Sequence, residues 1–585
     1  MRDPLLFLLA NVLLVACLTL GGGTHAGYLS DVIVEALACP LLVMIGWRLS
    51  SRPKVVIMEA APGAGEQSAV APHRLRLAAL VFTAALLAIP LVQLLPLSPG
   101  LKIWPAAMIN VRDIFDLLGR VPPALHISAA PEATWLAWLS ILPAVALFWA
   151  TAELDRASRR ALCFAIVLVG LASVALGLLQ LANGPNSEFR FYEFTNREEA
   201  VGFFANRNHF AAFMYCALVF TGAVTMSLVA ESRTVTGGRD RSALVLAIGL
   251  TFCLMAAMTA MQAMARSRAG VLLHGAALIS LMAMAPPALR SESGRSRVRL
   301  AMILAAVLSV AVMGELLLYR FIDRFAYESV QTDARVKFAA NTIAAARAYM
   351  PFGSGLGTFV RVYGQFERPE DTLMNRFANH AHNDWLELWL ETGVAGLVLA
   401  GVFVAWVLGT AVRLWRRPPP DVSVFDAMLP KAGVLVLMLL LLHSVVDYPV
   451  RTEAIMAVFA VAAGLQLPPP PGAESEDGVA EEAAISKLLW RKRRRRRKSA
   501  EAEPQLRPAA DGTTPAAEEP RSVQAQSTQR WSAAGTAWPD AWSPGSPGNV
   551  PKSPANQAPA VERPAADGAQ PVKPALTRWP GSEKP

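Results

Sequence analysis

Residues 209–230 read HFAAFMYCALVFTGAVTMSLVA, a run without a single lysine, arginine, aspartate or glutamate. Its length matches the ~20 apolar residues that a helix needs to cross the hydrocarbon core of a bilayer. Apolar runs of the same kind recur near 4–20, 31–47, 76–96, 133–152, 161–182, 243–264, 270–289, 300–319, 394–414, 428–446 and 453–467. The pattern predicts an all-α integral membrane protein with about 12 transmembrane helices. Composition agrees, since 54% of the residues are hydrophobic and only 17% are charged, with a mean hydropathy of +0.37. The first run reads as a retained helix and not as a secretory leader. MRDP sets one arginine beside an aspartate, and LTLGGGTHAGYL offers a poor small-residue cleavage site.

The connections between these runs alternate in charge. Arg48, Arg52, Lys54, Arg74 and Arg76 fall on one side, together with Arg156, Arg159, Arg160, Arg233, Arg239 and Arg241. Arg290, Arg295, Arg297, Arg299, Arg413, Arg416 and Arg417 join them. Cytoplasmic loops carry the excess of lysine and arginine, so both termini are expected in the cytoplasm. The opposite side holds two long connections, 183–208 and 320–393, which exceed what a turn requires. Function is expected there.

The formal charge of +9 suggests a nucleic-acid partner only until RKRRRRRK at 491–498 is noticed, because that run supplies eight positive charges by itself. Placed just after the last span, it reads as a cytoplasmic anchor for anionic lipid heads, worth about 1 kcal/mol per basic residue, with no nucleic acid involved. The whole segment 468–585 is expected to be a disordered cytoplasmic tail, rich in Pro, Ala, Ser and Gln and poor in residues that could form a core. Cys17, Cys39, Cys163, Cys216 and Cys253 all lie in expected spans without CxxC spacing, which indicates neither a disulfide framework nor a zinc site.

On the outward side, FRFYEFTNREEAVGFFANRNHFAAF brings Asn206, Arg207, Asn208 and His209 to the start of a span. Asn208 reads as a helix cap. Arg207 opposes the helix dipole there and would suit an anionic ligand. In AMARSRAGVLL, Arg266 either snorkels or binds, whereas Arg268 sits deeper on the side that disfavours cations, which marks a functional position. Arg335 to Tyr349 has helical apolar spacing that stops before Pro351, and Arg335 again stands at a helix start where a cation calls for an anion. Gly353, Gly355 and Gly357 read as turn geometry, since no strand precedes them as it would in a phosphate-cradling loop.

The stretch NHAHNDWLELWLETGVAGL at 379–397 leads into the next span. Asp384 fits an N-cap with Glu387 as its partner, and Glu391 shares their face. Trp385 and Trp389 fit an interfacial aromatic belt. His380 and His382 alternate in an HxH pair, which leaves a metal site, a lone base or a hydrogen-bonded loop histidine open; a third metal ligand at matching spacing is absent from the sequence.

Taken in order, FFANRNHFAAF, ARSRAG, MPFGSGLGTF and HAHNDWLELWLETGVAGL resemble the O-antigen ligase and polymerase family of bacterial inner-membrane glycan transferases, over about residues 190 to 410. The resemblance divides the chain into N-terminal spans (1–189), a catalytic region (190–410) with a large periplasmic loop (320–393), C-terminal spans (411–467) and the tail (468–585). It implies a GT-C-like helical bundle and a periplasmic site. The implied donor is a glycan on undecaprenyl diphosphate, and the implied acceptor is another glycan or a lipid A core. It also implies metal-independent transfer, with His382, Arg335 and Arg268 matching the family's essential residues; no cofactor is expected, and a single displacement would invert the anomeric carbon. An imidazole with a pKa near ~6.5 is suited to take the proton of an attacking hydroxyl. Arginines can hold a diphosphate through charge-assisted bonds. Arg207, Asn206 and Asn383 are the expected substrate contacts, the asparagines doubling as loop supports. A transporter or flippase for the same lipid-linked glycan is the alternative. It calls for midplane charges, for which the sequence offers only Glu315 and Asp447, neither with an obvious partner.

Overall fold

The computed structural model describes residues 3–25, 27–51, 66–98, 101, 104–120, 124–232, 238–284, 329–372, 378–416 and 422–470. Fourteen α-helices lie among them. In chain order they are α1 (Pro4–Leu20), α2 (Leu29–Ser51), α3 (Glu66–Gln93), α4 (Ala106–Leu117), α5 (Pro131–Glu153), α6 (Arg156–Ala182) and α7 (Arg207–Glu231). Then follow α8 (Gly238–Met264), α9 (Arg268–Met284), α10 (Ser329–Ala348), α11 (Phe359–Tyr363), α12 (Asp384–Arg416), α13 (Val424–His443) and α14 (Glu453–Gly464). Eight helices among the described residues are long and apolar enough to cross a membrane, and α1, α9 and α14 are shorter apolar helices. These eleven match eleven of the expected spans. The remaining one, 300–319, lies outside the described residues, as do Glu315 and the basic tail.

The run that opens the sequence is the centre of the bundle. Helix α7 is buried along nearly its whole length, and it packs against α6, α8, α9 and α13. Small residues permit this closeness, since Gly170 of α6 lies against Ala217 and Gly222 lies against Leu281 of α9. Polar side chains inside the helix turn back on their own backbone: Thr221 donates to the Ala217 carbonyl and Thr225 to that of Thr221, both at 2.8 Å. Without water in a bilayer, such internal bonding is how a buried hydroxyl is satisfied.

Charge separates the two ends of the bundle. At one end Arg76 of α3 meets Glu153 of α5 at 2.6 Å, and Arg160 of α6 meets Asp426 of α13 at 2.5 Å. Arg159 donates to the carbonyls of Leu154, Ala152 and Leu467, and Arg48 pairs with Asp3. Capping supports these junctions, as Asp155 caps α6 and Ser423 caps α13.

The other end carries a second, smaller apolar cluster in which Trp104, Met108 and Leu125 pack with Phe338, Tyr349, Phe359, Tyr363 and Leu390. The connection from 94 to 130 thus contributes α4 and packs onto the long loop, a structured outward segment beyond the two that the sequence singles out. The loop is tied to the membrane part at Gly393, where α12 breaks with φ 59° and ψ −145°. A Cβ at Gly393 would lie 2.1 Å from the Pro351 carbonyl oxygen, and only glycine occupies that backbone region readily. Gly353, Gly355 and Gly357 all have positive φ. Ser354 N and Gly355 N donate to the carbonyls of Leu390 and Glu391, at 2.8 and 3.0 Å. The glycine-rich stretch is therefore a docking turn for the kinked helix, as its lack of a preceding strand suggests.

Candidate active site

Four of the chain's eight histidines lie where α7 and α12 begin and α13 ends, three of them around the ring of Tyr448. His380 lies over it at 4.1 Å between centroids, His209 meets it edge-on at 4.8 Å, and His382 does so at 5.0 Å. His443, at the last turn of α13, bonds Tyr215 through Nδ1 at 3.0 Å. Tyr448 is buried, and its hydroxyl accepts from Asn379 at 3.2 Å and from Asn206 at 3.5 Å. Burial, with the neighbouring Asp447 charge, pushes the Tyr448 hydroxyl well above the usual phenol range, so it stays protonated.

The two histidines of the HxH pair are held differently. His380 Nδ1 bonds Glu387 Oε1 at 2.8 Å and its Nε2 faces the Thr24 carbonyl at 3.4 Å, so both nitrogens are spent on protein. His382 Nδ1 bonds Asp447 Oδ1 at 3.1 Å, and its Nε2 makes no bond among the described residues. A carboxylate can only accept, so the bond places the ring proton on Nδ1 and the lone pair on Nε2. One available nitrogen in the pair is a poor start for a metal site. Among the described residues no group of three or more His, Cys, Asp or Glu side chains is placed to hold an ion.

Local structure fixes His382 in place. Its backbone sits at φ 50°, in the left-handed region that non-glycine residues enter at a cost and that marks constrained positions. Its ring stacks on Phe338 of α10 at 6.0 Å and 16°, and its side chain is 24% exposed. Asp447, by contrast, is 1% exposed. Asn208 donates to its second oxygen and the Tyr448 amide to its first. Burial alone would raise the Asp447 carboxyl, but the His382 hydrogen bond and the surrounding imidazoles outweigh it and hold the group well below the usual carboxylate range. Asp447 therefore has the partner that the sequence does not reveal.

Behind the pair stands a second buried ionic group. Asp384, Glu387 and Glu391 project from one face of α12 onto the guanidinium of Arg451, at 3.3, 3.1 and 2.7 Å. Burial works against the Arg451 charge, yet Glu387, Glu391 and Asp384 bind it more firmly than a free arginine would be charged. Glu387 also receives the Ala381 amide at 2.8 Å, which fixes the turn between the two histidines. The expectation that Asp384 caps α12 is corrected here: Asn383 accepts from Leu386 N at 3.0 Å and fills that place, while Asp384 accepts from Ser444 and pairs with Arg451. Asn383 also donates to the Val445 carbonyl at 2.8 Å, tying the cap to the Asp447 loop.

The cap of α7 is corrected in the same way. Asn206 accepts from Asn208 N at 2.8 Å and is the cap, which frees the Asn208 amide to reach Asp447. Arg207, at the helix start, meets Glu199 at 2.5 Å. Arg335 is exposed, one helical turn before Phe338 on the same face of α10. Arg268 is exposed at the start of α9. The geometry thus gathers His382, Asn206, Asn383 and, through Phe338, Arg335. Arg207 is turned to Glu199, and Arg268 stands on a helix of its own.

Residues 253–401, from α8 through the kink of α12, match a family model described as O-antigen ligase. This segment is similar to the O-antigen ligase family. The matched segment holds Arg268, Arg335, His382 and Asn383, while Asn206, Arg207, Asp447 and Arg451 lie outside it. No curated protein matches the chain. That similarity, with the apolar helices, supports glycan transfer of the ligase or polymerase type on lipid-linked glycan and acceptor substrates in general, in a bacterial membrane. Tyr448 and Arg451 are contributors that sequence reading missed, and in that reading Asp447 counts only as a charge for the transporter alternative. Their only signal in the sequence is DYPVR at 447–451, which sets charged and aromatic side chains just after an apolar run.

Proposed function

We propose that the chain is a metal-independent, inverting glycosyltransferase of the inner membrane, which moves a glycan from undecaprenyl diphosphate to an acceptor hydroxyl at the periplasmic face. The observation that carries this reading is the free Nε2 of His382, oriented by Asp447. The acceptor oxygen attacks the anomeric carbon as its proton passes to Nε2. The bond from that carbon to the diphosphate oxygen breaks, and undecaprenyl diphosphate leaves with the electron pair. A single displacement inverts the anomeric centre. Arg335 and Arg268 neutralise the leaving diphosphate, where charge-assisted contacts count most as water is excluded. Asn206 and Asn383 hold the two helix starts that frame the site and lie within reach of the sugars. Arg207 is poised by Glu199 to be shared with an incoming anion. The transporter reading loses Asp447, which the His382 bond draws into the site.

This chemistry requires the His382 end to face the periplasm, which the gathering of Arg48, Arg76, Arg159 and Arg160 at the opposite end supports. Reporter fusions after residue 240 and after residue 470 are expected to read as cytoplasmic, and one near residue 365 as periplasmic. A cytoplasmic signal at 365 would remove the site from its substrate and sink the scheme.

A further inference from the structure

At the same end of the bundle as His382, a cleft of about 320 Å³ opens between the end of α6, the 184–198 loop and the α8–α9 turn. Three arginines line it, Arg190, Arg197 and Arg266, against one carboxylate, Glu198. None of the three is neutralised at close range. Arg266 stands 3.9 Å from Glu198, which is itself 77% exposed. Arg197 makes one long bond, at 3.5 Å, to Asn186. Arg190 is built in: its Nη1 donates to the carbonyls of Asn196 and Glu199 at 2.7 and 3.0 Å, while its Nε is buried with no partner. A buried donor without an acceptor is costly in a protein that has no other use for it. Arg266 adds a second cost, since its backbone is held at φ 52°, a region unfavourable for a side chain of that size.

Cations on this side run against the charge asymmetry of the bundle, so solubility or orientation does not account for them. Guanidinium forks at three corners of one cleft match the oxygens of a phosphate or diphosphate. Beside the cleft, Leu178 and Leu179 on the last turn of α6 and Phe189 on the loop are each close to half exposed. That apolar rim gives the ligand a hydrocarbon side as well as an anionic one. We infer that this cleft binds the phosphate or diphosphate headgroup of a membrane lipid through Arg190, Arg197 and Arg266. The site is coupled to the catalytic end through one residue, because Glu199 accepts from Arg190 with its carbonyl and pairs with Arg207 through its carboxylate. The inference concerns binding and stands whether or not the transfer reading holds.

The test is calorimetric titration of the full-length protein in detergent with geranylgeranyl diphosphate and, separately, with inorganic pyrophosphate. The wild type is expected to bind the prenyl diphosphate, and R197A/R266A to bind it at least tenfold more weakly. Both side chains are surface-facing and support no span, and the basic run 491–498 is common to both proteins, so the difference reports the cleft. Glu198→Gln removes the opposing charge and is expected to tighten binding several-fold. The comparison is repeated in an R268A/R335A background, which removes the diphosphate contacts proposed for transfer; the tenfold difference is expected to persist there, which separates the cleft from the donor site. Pyrophosphate binding as tight as that of the prenyl form would keep the anion site and assign it to a soluble phosphate. Binding by R197A/R266A within twofold of the wild type, or no tightening by Glu198→Gln, overturns the inference.

Discussion

His382→Ala lowers glycan transfer by roughly 10²- to 10⁴-fold, the usual worth of a positioned base, while the protein stays folded and inserted. The residue precedes α12, supports no span, and spends only one nitrogen on the protein. Asp447→Asn produces a loss of similar order by a different route. An amide at 447 can donate to Nδ1, which returns the ring proton to Nε2 and leaves no lone pair for the acceptor hydroxyl; the wrong tautomer costs about as much as losing the base. His380→Ala is expected to differ from both, because His380 holds Glu387 and Thr24 instead of substrate. Its effect should appear in thermal stability more than in transfer per folded molecule. Transfer normalised to inserted protein, measured beside the unfolding temperature for all three variants, separates these outcomes. Near-normal transfer by His382→Ala would remove the base.

Arg451→Leu costs about 3–5 kcal/mol of stability, the range for removing one partner of a buried ion pair. The reason is the company that Arg451 keeps. Glu387 and Glu391 are fully buried, and with Asp384 they share this single guanidinium. Left without it, three carboxylates would face one another inside the protein. Arg451→Lys keeps the charge but not the planar fork, so it is expected to fall between the wild type and the leucine variant. The measurement is the unfolding temperature in detergent together with the inserted fraction. Arg451→Leu unfolding at the wild-type temperature would show that the carboxylates are satisfied in some other way.

The helical membrane architecture was legible because each span declares itself locally. Twenty apolar residues in a row have few other uses, and eleven expected spans reappear as helices. Residue types at the site were legible where their position conflicted with ordinary stability. His382 in a polar approach to a span is of this kind, whereas Arg335, expected at a helix start, stands in the second turn of α10, because that helix begins earlier, at Ser329. Partnerships were not legible, because they join positions far apart in sequence. Asp447 lies 65 residues from His382, and Arg451 lies 60 residues from Glu391. Nothing local in DYPVR announces either bond. The misread caps have a related cause. Asn383 and Asp384 are adjacent and both are good caps, and likewise Asn206 and Asn208 flank Arg207. The choice in each case is made by a distant group: Arg451 and Ser444 claim Asp384, and Asp447 claims Asn208. Arg207 shows the converse, since a cation that the helix dipole disfavours is met by Glu199 only eight residues away.

The most direct test of the central claim is a reconstitution in which purified protein receives a glycan on undecaprenyl diphosphate and a hydroxyl acceptor, with the anomeric configuration of the product read by NMR. The account predicts one undecaprenyl diphosphate released per glycan transferred, inversion at the anomeric carbon, and both signals lost together in His382→Ala. A product with retained configuration, or movement of the intact donor across the bilayer with no glycosidic bond formed, would contradict it.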